Sequence, residues 1–337
     1  MKRSVVVLVL ACVASLVVAV SDSAGAAKRA VNGRIVFRRY LTADHSVGAI
    51  YTINPNGTGL FRVTHAPLGA LSTEPDPSPN GQWIDYMVEW PNNPAARSKI
   101  FKIRPDGRDR TDLSTSCTGM CQGDGFPDWS TTGWIAFQRV LSADFSQPVG
   151  FTAIFVMRAD GTQVHQVTQR AANPAVPATF DDQTPGWSPG GRQLAFERVD
   201  DATGHHAIFT VTPTGQALHR ITPWTLDASQ PQYSPNGQWI CFRSHEPSNT
   251  TGNVFLVHPN GTSLHRLTHT APGTGKWQSC AFSPDGRYVV SARSPVVDGQ
   301  LGNADVYTIP VGGGTPVDVT NDPAHWDSAP DWGIGRS

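Results

Sequence analysis

One motif recurs down this chain, and its recurrence leaves few folds open. The recurring form is P-x-W-S-P-x-G, then an apolar triplet, a second apolar stretch, D/N-G, and an apolar residue before Thr or Ser. The opening signature stands at Pro75-Asp76-Pro77-Ser78-Pro79-Asn80-Gly81, Pro127-Asp128-Trp129-Ser130, Pro185-Gly186-Trp187-Ser188-Pro189, Pro231-Gln232-Tyr233-Ser234-Pro235 and Cys280-Ala281-Phe282-Ser283-Pro284. A sixth, Pro330-Asp331-Trp332-Gly333, ends the chain. Triplets follow at Ile84-Asp85-Tyr86, Ile135-Ala136-Phe137, Leu194-Ala195-Phe196, Ile240-Cys241-Phe242 and Val289-Val290-Ser291, while Ile35-Val36-Phe37 precedes the first signature. The first repeat therefore lacks its opening strand, and the tail holds a spare one.

The second half of each unit reads as two strands across a tight turn, as in Ile50-Tyr51-Thr52-Ile53 before Asn56-Gly57 and Ile154-Phe155-Val156-Met157 before Asp160-Gly161. Asn-Gly and Asp-Gly supply the positive φ angles such turns use. Units of four short strands cannot bury their faces alone and must stack on neighbours. The expectation is an all-β, six-bladed β-propeller of four-stranded antiparallel blades, closed by pairing of the N- and C-terminal strands so that no sheet edge is left bare. At about 52 residues per unit the blades exceed the usual ~40–50, so the loops are long.

Ahead of the repeats, Lys2 and Arg3 precede an apolar run from Ser4 to Val20, and Ala24-Gly25-Ala26 offers an A-x-A cleavage site. Residues 1–26 read as a signal peptide cleaved near Ala26, residues 27–32 as a linker and residues 33–337 as one propeller. A lipoprotein anchor at Cys12 fits less well, because Val9-Leu10-Ala11 makes a poor lipobox. The expected location is secreted or periplasmic, with no membrane span after processing. The full chain carries a formal charge of −1; losing Lys2, Arg3 and Asp22 shifts it to −2, which draws it to neither nucleic acid nor anionic lipid. Export permits disulfides. A local bridge is expected between Cys117 and Cys121, whereas Cys241 and Cys280, inside apolar strands, are expected as buried free thiols.

W-S-P-D/N-G, apolar-x-F and I-Y/F-x-x-x-x-D/N-G, in succession over nearly all of residues 33–334, resemble the TolB-like propeller repeats, cousins of the WD-repeat propellers. The resemblance implies the fold and a tendency to bind partners. TolB itself carries an additional α/β domain before its propeller, and prolyl oligopeptidase relatives place a hydrolase domain beside theirs; the repeats here leave room for neither.

In such a blade the connections between strands 2 and 3, and from strand 4 to the next blade, share one rim, and this chain's long connections fall there. Irregular loops on a rigid scaffold are the usual seat of function. Arg39, Arg139, Arg198 and Arg293 each stand two residues past a triplet, and Asp124, Asp182 and Asp327 precede strand 1. They could form a funnel for an anionic or polar ligand, or pair between adjacent blades to lock the ring. Asp76, Asp128 and Asp331 share one repeat position and could hold a hard cation such as Ca2+ through oxygen ligands; no other cofactor is expected. Gly186-Trp187-Ser188-Pro189-Gly190 matches a hydrolase string but is the repeat's own turn. His165, His219 and His265 read as surface strand residues, which leaves His205, His206 and His45 as candidates for acid–base chemistry. The leading function is a protein-binding or scaffold module, a monomer engaging another protein or an envelope component. A polysaccharide- or peptide-cleaving lyase or hydrolase, and a small-ligand sensor, are the alternatives.

Overall fold

The structure, a computed structural model, describes residues 30–65, 69–93, 95–142, 150–169, 180–244 and 250–335. The expected signal peptide lies outside them. Among the described residues the chain is almost wholly antiparallel β-sheet, with one 3-10 turn at Trp224–Leu226, and no helix is long and apolar enough to cross a membrane.

The strands form successive four-stranded meanders. Leu71–Pro77, Ile84–Glu89, Lys99–Ile103 and Thr111–Asp112 make one; Cys121–Trp129, Trp134–Ser142, Gly150–Arg158 and His165–Gln166 the next. Phe180–Trp187, Leu194–Asp200, His206–Val211 and His219–Arg220 follow, then Ala228–Tyr233, Ile240–Ser244, Val254–Val257 and His265–Arg266. The last long strands, Tyr288–Val297 and Asp305–Pro310, pair with each other, with the inner pieces Gly275–Trp277 and Ala281–Phe282, and with Val317–Asp318 outside. The first repeat, Asn32–Tyr40, Gly48–Ile53 and Phe61–Arg62, takes its fourth strand from the far end of the chain, Asp327–Ile334, in a register that sets Ile35 opposite Trp332 and Arg39 opposite Asp327.

Three hydrogen bonds explain why the repeat residues are what they are. The closing Thr or Ser accepts the backbone N–H at the start of its own third strand: Thr64 from Ile50, Ser114 from Ile100, Thr168 from Ile154, Thr222 from Ile208, Thr268 from Val254 and Thr320 from Val306, at 2.8–3.0 Å. A buried N–H would otherwise go unpaired. The signature Ser closes the S-P-x-G turn by accepting from the chain beyond it, as Ser78 does from Trp83 at 2.9 Å and Ser188 from Gln193 at 3.0 Å. In the D/N-G turns only the glycine takes positive φ, 79° at Gly57 and 84° at Gly161. The Asn or Asp instead accepts from the N–H two residues on, as Asn56 does from Thr58 at 3.2 Å and Asp160 from Thr162 at 3.0 Å. That is an Asx turn, not the pair of positive φ angles expected.

The core lies between the sheets. Each cluster joins one meander to the next: Val36 and Ile50 with Ile84 and Tyr86, Ile100 and Leu113 with Ile135 and Phe137, Ala195 and Ile208 with Ile240 and Phe242. One cluster joins the last repeat to the first, packing Val290, Val306 and Val319 on Ile35, Phe37 and Trp332.

Both expected cysteine outcomes can be read here. Cys117 and Cys121 are bridged. Cys241 and Cys280 are a disulfide as well, not free thiols, with Cα atoms 6.2 Å apart. Cys241 stands on Ile240–Ser244 and Cys280 just ahead of Ala281–Phe282 in the next sheet, and both side chains lie in the core cluster that the two sheets share.

Candidate functional site

The expected arginines and aspartates meet, but inside single sheets. Arg139 is bidentate to Asp124 at 2.6 and 2.9 Å, Arg198 to Asp182 at 2.6 and 2.8 Å, and Arg39 to Asp327 at 2.7 and 2.7 Å. Each pair spans two adjacent strands at one register position, so the pairing is not between neighbouring blades. The guanidiniums lie over aromatic rings, Arg139 5.1 Å from Phe155 and Arg198 4.9 Å from Phe209. Arg39, Arg139, Asp124, Asp182 and Asp327 are buried. Arg293 stands apart. Its cross-strand neighbours are Trp277 on one side and Asp305 on the other, and it lines a groove of about 870 Å³ with His265, His269, Trp277 and Tyr307.

Strand alternation turns the preceding residue to the opposite face. That position, one past each triplet, holds Arg38, Met87, Gln138, Glu197, Arg243 and Ala292. Several engage the inner strands. The Glu197 carboxylate accepts from Thr184 Oγ1 at 3.1 Å and from the Gln230 N–H at 3.2 Å, Gln138 accepts from the Thr184 N–H at 3.2 Å, and Arg38 donates to Ser328 and Thr73. These inner strands carry a recurring kink. Glu74, Phe126, Thr184, Gln230 and Ala329 all take positive φ, between 46° and 53°, each just before a proline and within a register shift. Such non-glycine conformations cost on the order of 1–3 kcal/mol each and are sustained by the surrounding pairing.

Two adjoining cavities follow. One of about 310 Å³ is lined by Arg38, Glu74, Gln230, Arg243, Lys276, Gln278, Leu301 and Trp326. The other, about 80 Å³, shares Glu74, Gln230, Ser279 and Ala329 with it and runs down to Asp76 and Asp331. In the wider one Arg243 is pulled below the ordinary guanidinium range by burial, against the opposing pull of Glu197 and Glu74, and Lys276 is lowered by burial and by Arg243. The Arg243 Nε is buried with no hydrogen-bond partner among the described residues, as is the Trp326 indole N–H. Neither Arg243 nor Lys276 has an ion-pair partner among the described residues.

At the far end lie the aspartates. Asp76 accepts the N–H of Trp129 at 2.6 Å and Asp128 that of Trp187 at 2.7 Å, each reaching the next sheet. The matching position ahead of Asp331 is Pro77, which has no N–H. Asp331 instead meets the Asp76 carboxyl, and a fourth carboxylate, Asp85, completes the group. Asp85 stands opposite Asp76 in the register, is fully buried, and has no hydrogen-bond partner in another residue for either oxygen. Burial first, then the neighbouring carboxylates, pushes Asp76 and Asp85 well above the carboxylate range. Burial also raises Asp128 to about 7 and Asp331 to about 6. A charged residue at the centre of an otherwise apolar triplet was the signal for Asp85: its counterparts are Val36, Ala136, Ala195, Cys241 and Val290. Among the described residues, the three-residue set whose ligand atoms lie within 4.8 Å of one another is Cys117, Cys121 and Asp124, and both its sulfurs are bridged.

Of the candidate histidines, His206 Nδ1 contacts the Glu197 carboxylate, which raises the imidazole above its ordinary range and, with burial opposing, holds Glu197 below its own. His205 is exposed, 3.7 Å from Asp227. His45 stacks on Tyr40 at 4.4 Å and meets Trp326 edge-on at 4.8 Å. His165, His219 and His265 are exposed strand residues, as expected.

No family model and no curated protein matches the chain. Solved structures do. TolB of Acinetobacter baumannii superposes with a TM-score of 0.64 at 18% identity, over 89% of this chain and 66% of that one, so the chain spans just under two thirds of that protein. A TolB candidate from Agrobacterium tumefaciens gives 0.61 at 16% identity, over 91% and 99%. Oligogalacturonate lyase of Vibrio parahaemolyticus gives 0.53 at 12%, over 85% and 78%. At these identities the likeness is one of architecture, and the chain has the fold of the TolB-like β-propellers.

Proposed function

We propose that the chain is an exported six-bladed propeller, one domain over residues 33–337 closed by its terminal strands, that acts as a monomeric protein-binding module through its loop-rich face. Support for closure comes from the pairing of Asn32–Tyr40 with Asp327–Ile334 and from the core cluster shared by the last and first repeats. The docking reading rests on one observation: the long connections and the strand ends beside them present open apolar and aromatic side chains. Met120 is 49% exposed and Val297 56%, and Phe180 stacks against Trp224. Reversing Arg139 or Arg198 would break a buried pair, so the informative substitutions are Met120→Asp, Phe180→Asp and Val297→Asp. Cross-linking in an envelope extract should yield a partner that the triple variant loses while melting like the wild type; an unchanged partner profile would place docking elsewhere.

A second reading, a lyase or hydrolase, draws on the Glu197–His206 pair beside Arg243 and on the oligogalacturonate lyase among the structural neighbours. Cleavage of a polysaccharide or peptide panel that disappears with His206→Gln would support it; no turnover by the intact protein would count against it. Calcium at Asp76, Asp128 and Asp331 would require their carboxylates to turn toward one another. A melting temperature that rises saturably with Ca2+ and falls with chelator would establish the ion, and indifference to both would dismiss it.

A further inference from the structure

We propose that the 310 Å³ cavity is a receptor for the oxyanion group of a small polar ligand, with Arg243 and Lys276 as the charged contacts. Three cations line one cavity, and while Arg38 has Glu74 at 3.7 Å, Arg243 and Lys276, close enough for Arg243 to disfavour the charge on Lys276, have no carboxylate within ion-pair distance among the described residues. The nearby anions are committed: Glu197 to His206, Thr184 and Gln230, and Glu74 beside Arg38 at 3.7 Å. Holding like charges together and partly desolvated opposes folding unless something repays it. Elsewhere the fold finds a partner for such a cation, as the three bidentate Arg–Asp braces attest. Here the Arg243 Nε is buried, unpartnered and beside open space.

The rest of the lining suits the same ligand. A guanidinium offers a planar fork of donors and an ammonium a rotatable one, the combination that grips carboxylates and phosphates. Gln230 and Gln278 line the wall with amides, and Trp326 adds an aromatic surface with an unused N–H. The volume sits at the low end of small-molecule pockets, which run from ~300 Å³, so a ligand of monosaccharide size fits. A folded partner does not enter it, and the proposal is independent of docking at the outer loops.

Three sugars on one scaffold provide the probes, namely glucose, glucuronate and glucose 6-phosphate, titrated into the full mature protein by calorimetry and by thermal melting. At least one of the two anionic sugars should bind saturably while glucose stays inert, and the stronger of the two identifies carboxylate or phosphate as the natural group. Arg243→Gln and Lys276→Gln should each weaken binding about tenfold or more, with Arg243→Lys intermediate; Arg108→Gln, on an exposed turn, should not change it. Should Arg243→Gln fail to fold, Lys276→Gln decides alone. Equal behaviour of all three sugars, or binding that survives Lys276→Gln unchanged, would overturn the proposal. An unchanged partner profile in the Met120, Phe180 and Val297 variant with sugar-acid binding intact would sink the docking reading and leave this one standing, whereas captured partner without sugar-acid binding would do the reverse.

Discussion

Asp85 is the residue at which this fold departs most from its own pattern. Its sister positions are apolar, and burying an unpartnered carboxyl costs about 1–3 kcal/mol, so Asp85→Val should raise the melting temperature at pH 8. The pH dependence has a definite sign. The folded chain holds Asp128 near 7 and Asp331 near 6, with Asp76 and Asp85 also raised, while an unfolded chain titrates its aspartates near 4. The folded state therefore binds more protons, and this cluster's contribution is greatest below about pH 4 and is lost as pH rises through 6 and 7. Melting curves across pH 5–8 should show the wild type weakening toward pH 8 and Asp85→Val weakening less; parallel curves would mean the group is not coupled as described. The sequence revealed three of the four carboxylates, because Asp76, Asp128 and Asp331 share a repeat position. It did not show how each is held: Asp76 and Asp128 accept the N–H groups of Trp129 and Trp187, whereas Pro77 has none to offer Asp331. The arginines teach a related lesson. Recurrence picked out Arg39, Arg139 and Arg198, which brace the sheets, whereas the cavity takes Arg38 and Arg243 from the alternate face, one residue earlier and less regular.

At the scale of the strand, the repeat residues make separable contributions. Thr168→Val removes an acceptor from the buried Ile154 N–H and should cost about 1 kcal/mol or somewhat more, measured by denaturant unfolding; no change would mean that the hydroxyl is not the acceptor. The Arg139–Asp124 brace is buried on both sides, so Arg139→Gln should destabilise by about 3–5 kcal/mol, far more than the loss of an exposed pair such as Arg108–Asp106. The Cys241–Cys280 bridge closes a separation of 39 residues, and a loop of that size gives about 4 kcal/mol on the chain-entropy account. The double Ala variant should melt well below the oxidised wild type and approach the fully reduced one, which also loses the Cys117–Cys121 bridge. That bridge was not legible in advance, since two cysteines in the apolar strands of consecutive repeats suit free thiols equally well until the packing of one sheet on the next is known.

For the whole molecule, the split repeat was the most legible feature of all. The first triplet, Ile35-Val36-Phe37, and the sixth signature, Pro330-Asp331-Trp332, are two incomplete halves of one motif, and the structure pairs them antiparallel with Val36 opposite Asp331. What the repeats could not convey is the shape of the two cavities, because the kinks at Glu74, Phe126, Thr184, Gln230 and Ala329 are positive-φ conformations that the following proline does not by itself announce. In a stacked-repeat protein each unit rests on its neighbours, so the terminal pairing carries more than one sheet's share of stability. The direct test is to end the chain at His325 and follow unfolding by calorimetry and hydrogen exchange. The truncated protein should lose its single cooperative transition, melt far lower and expose the amides of Ile35, Val36 and Phe37 to exchange. A truncation that unfolds at the same temperature, with those amides still protected, would contradict the ring.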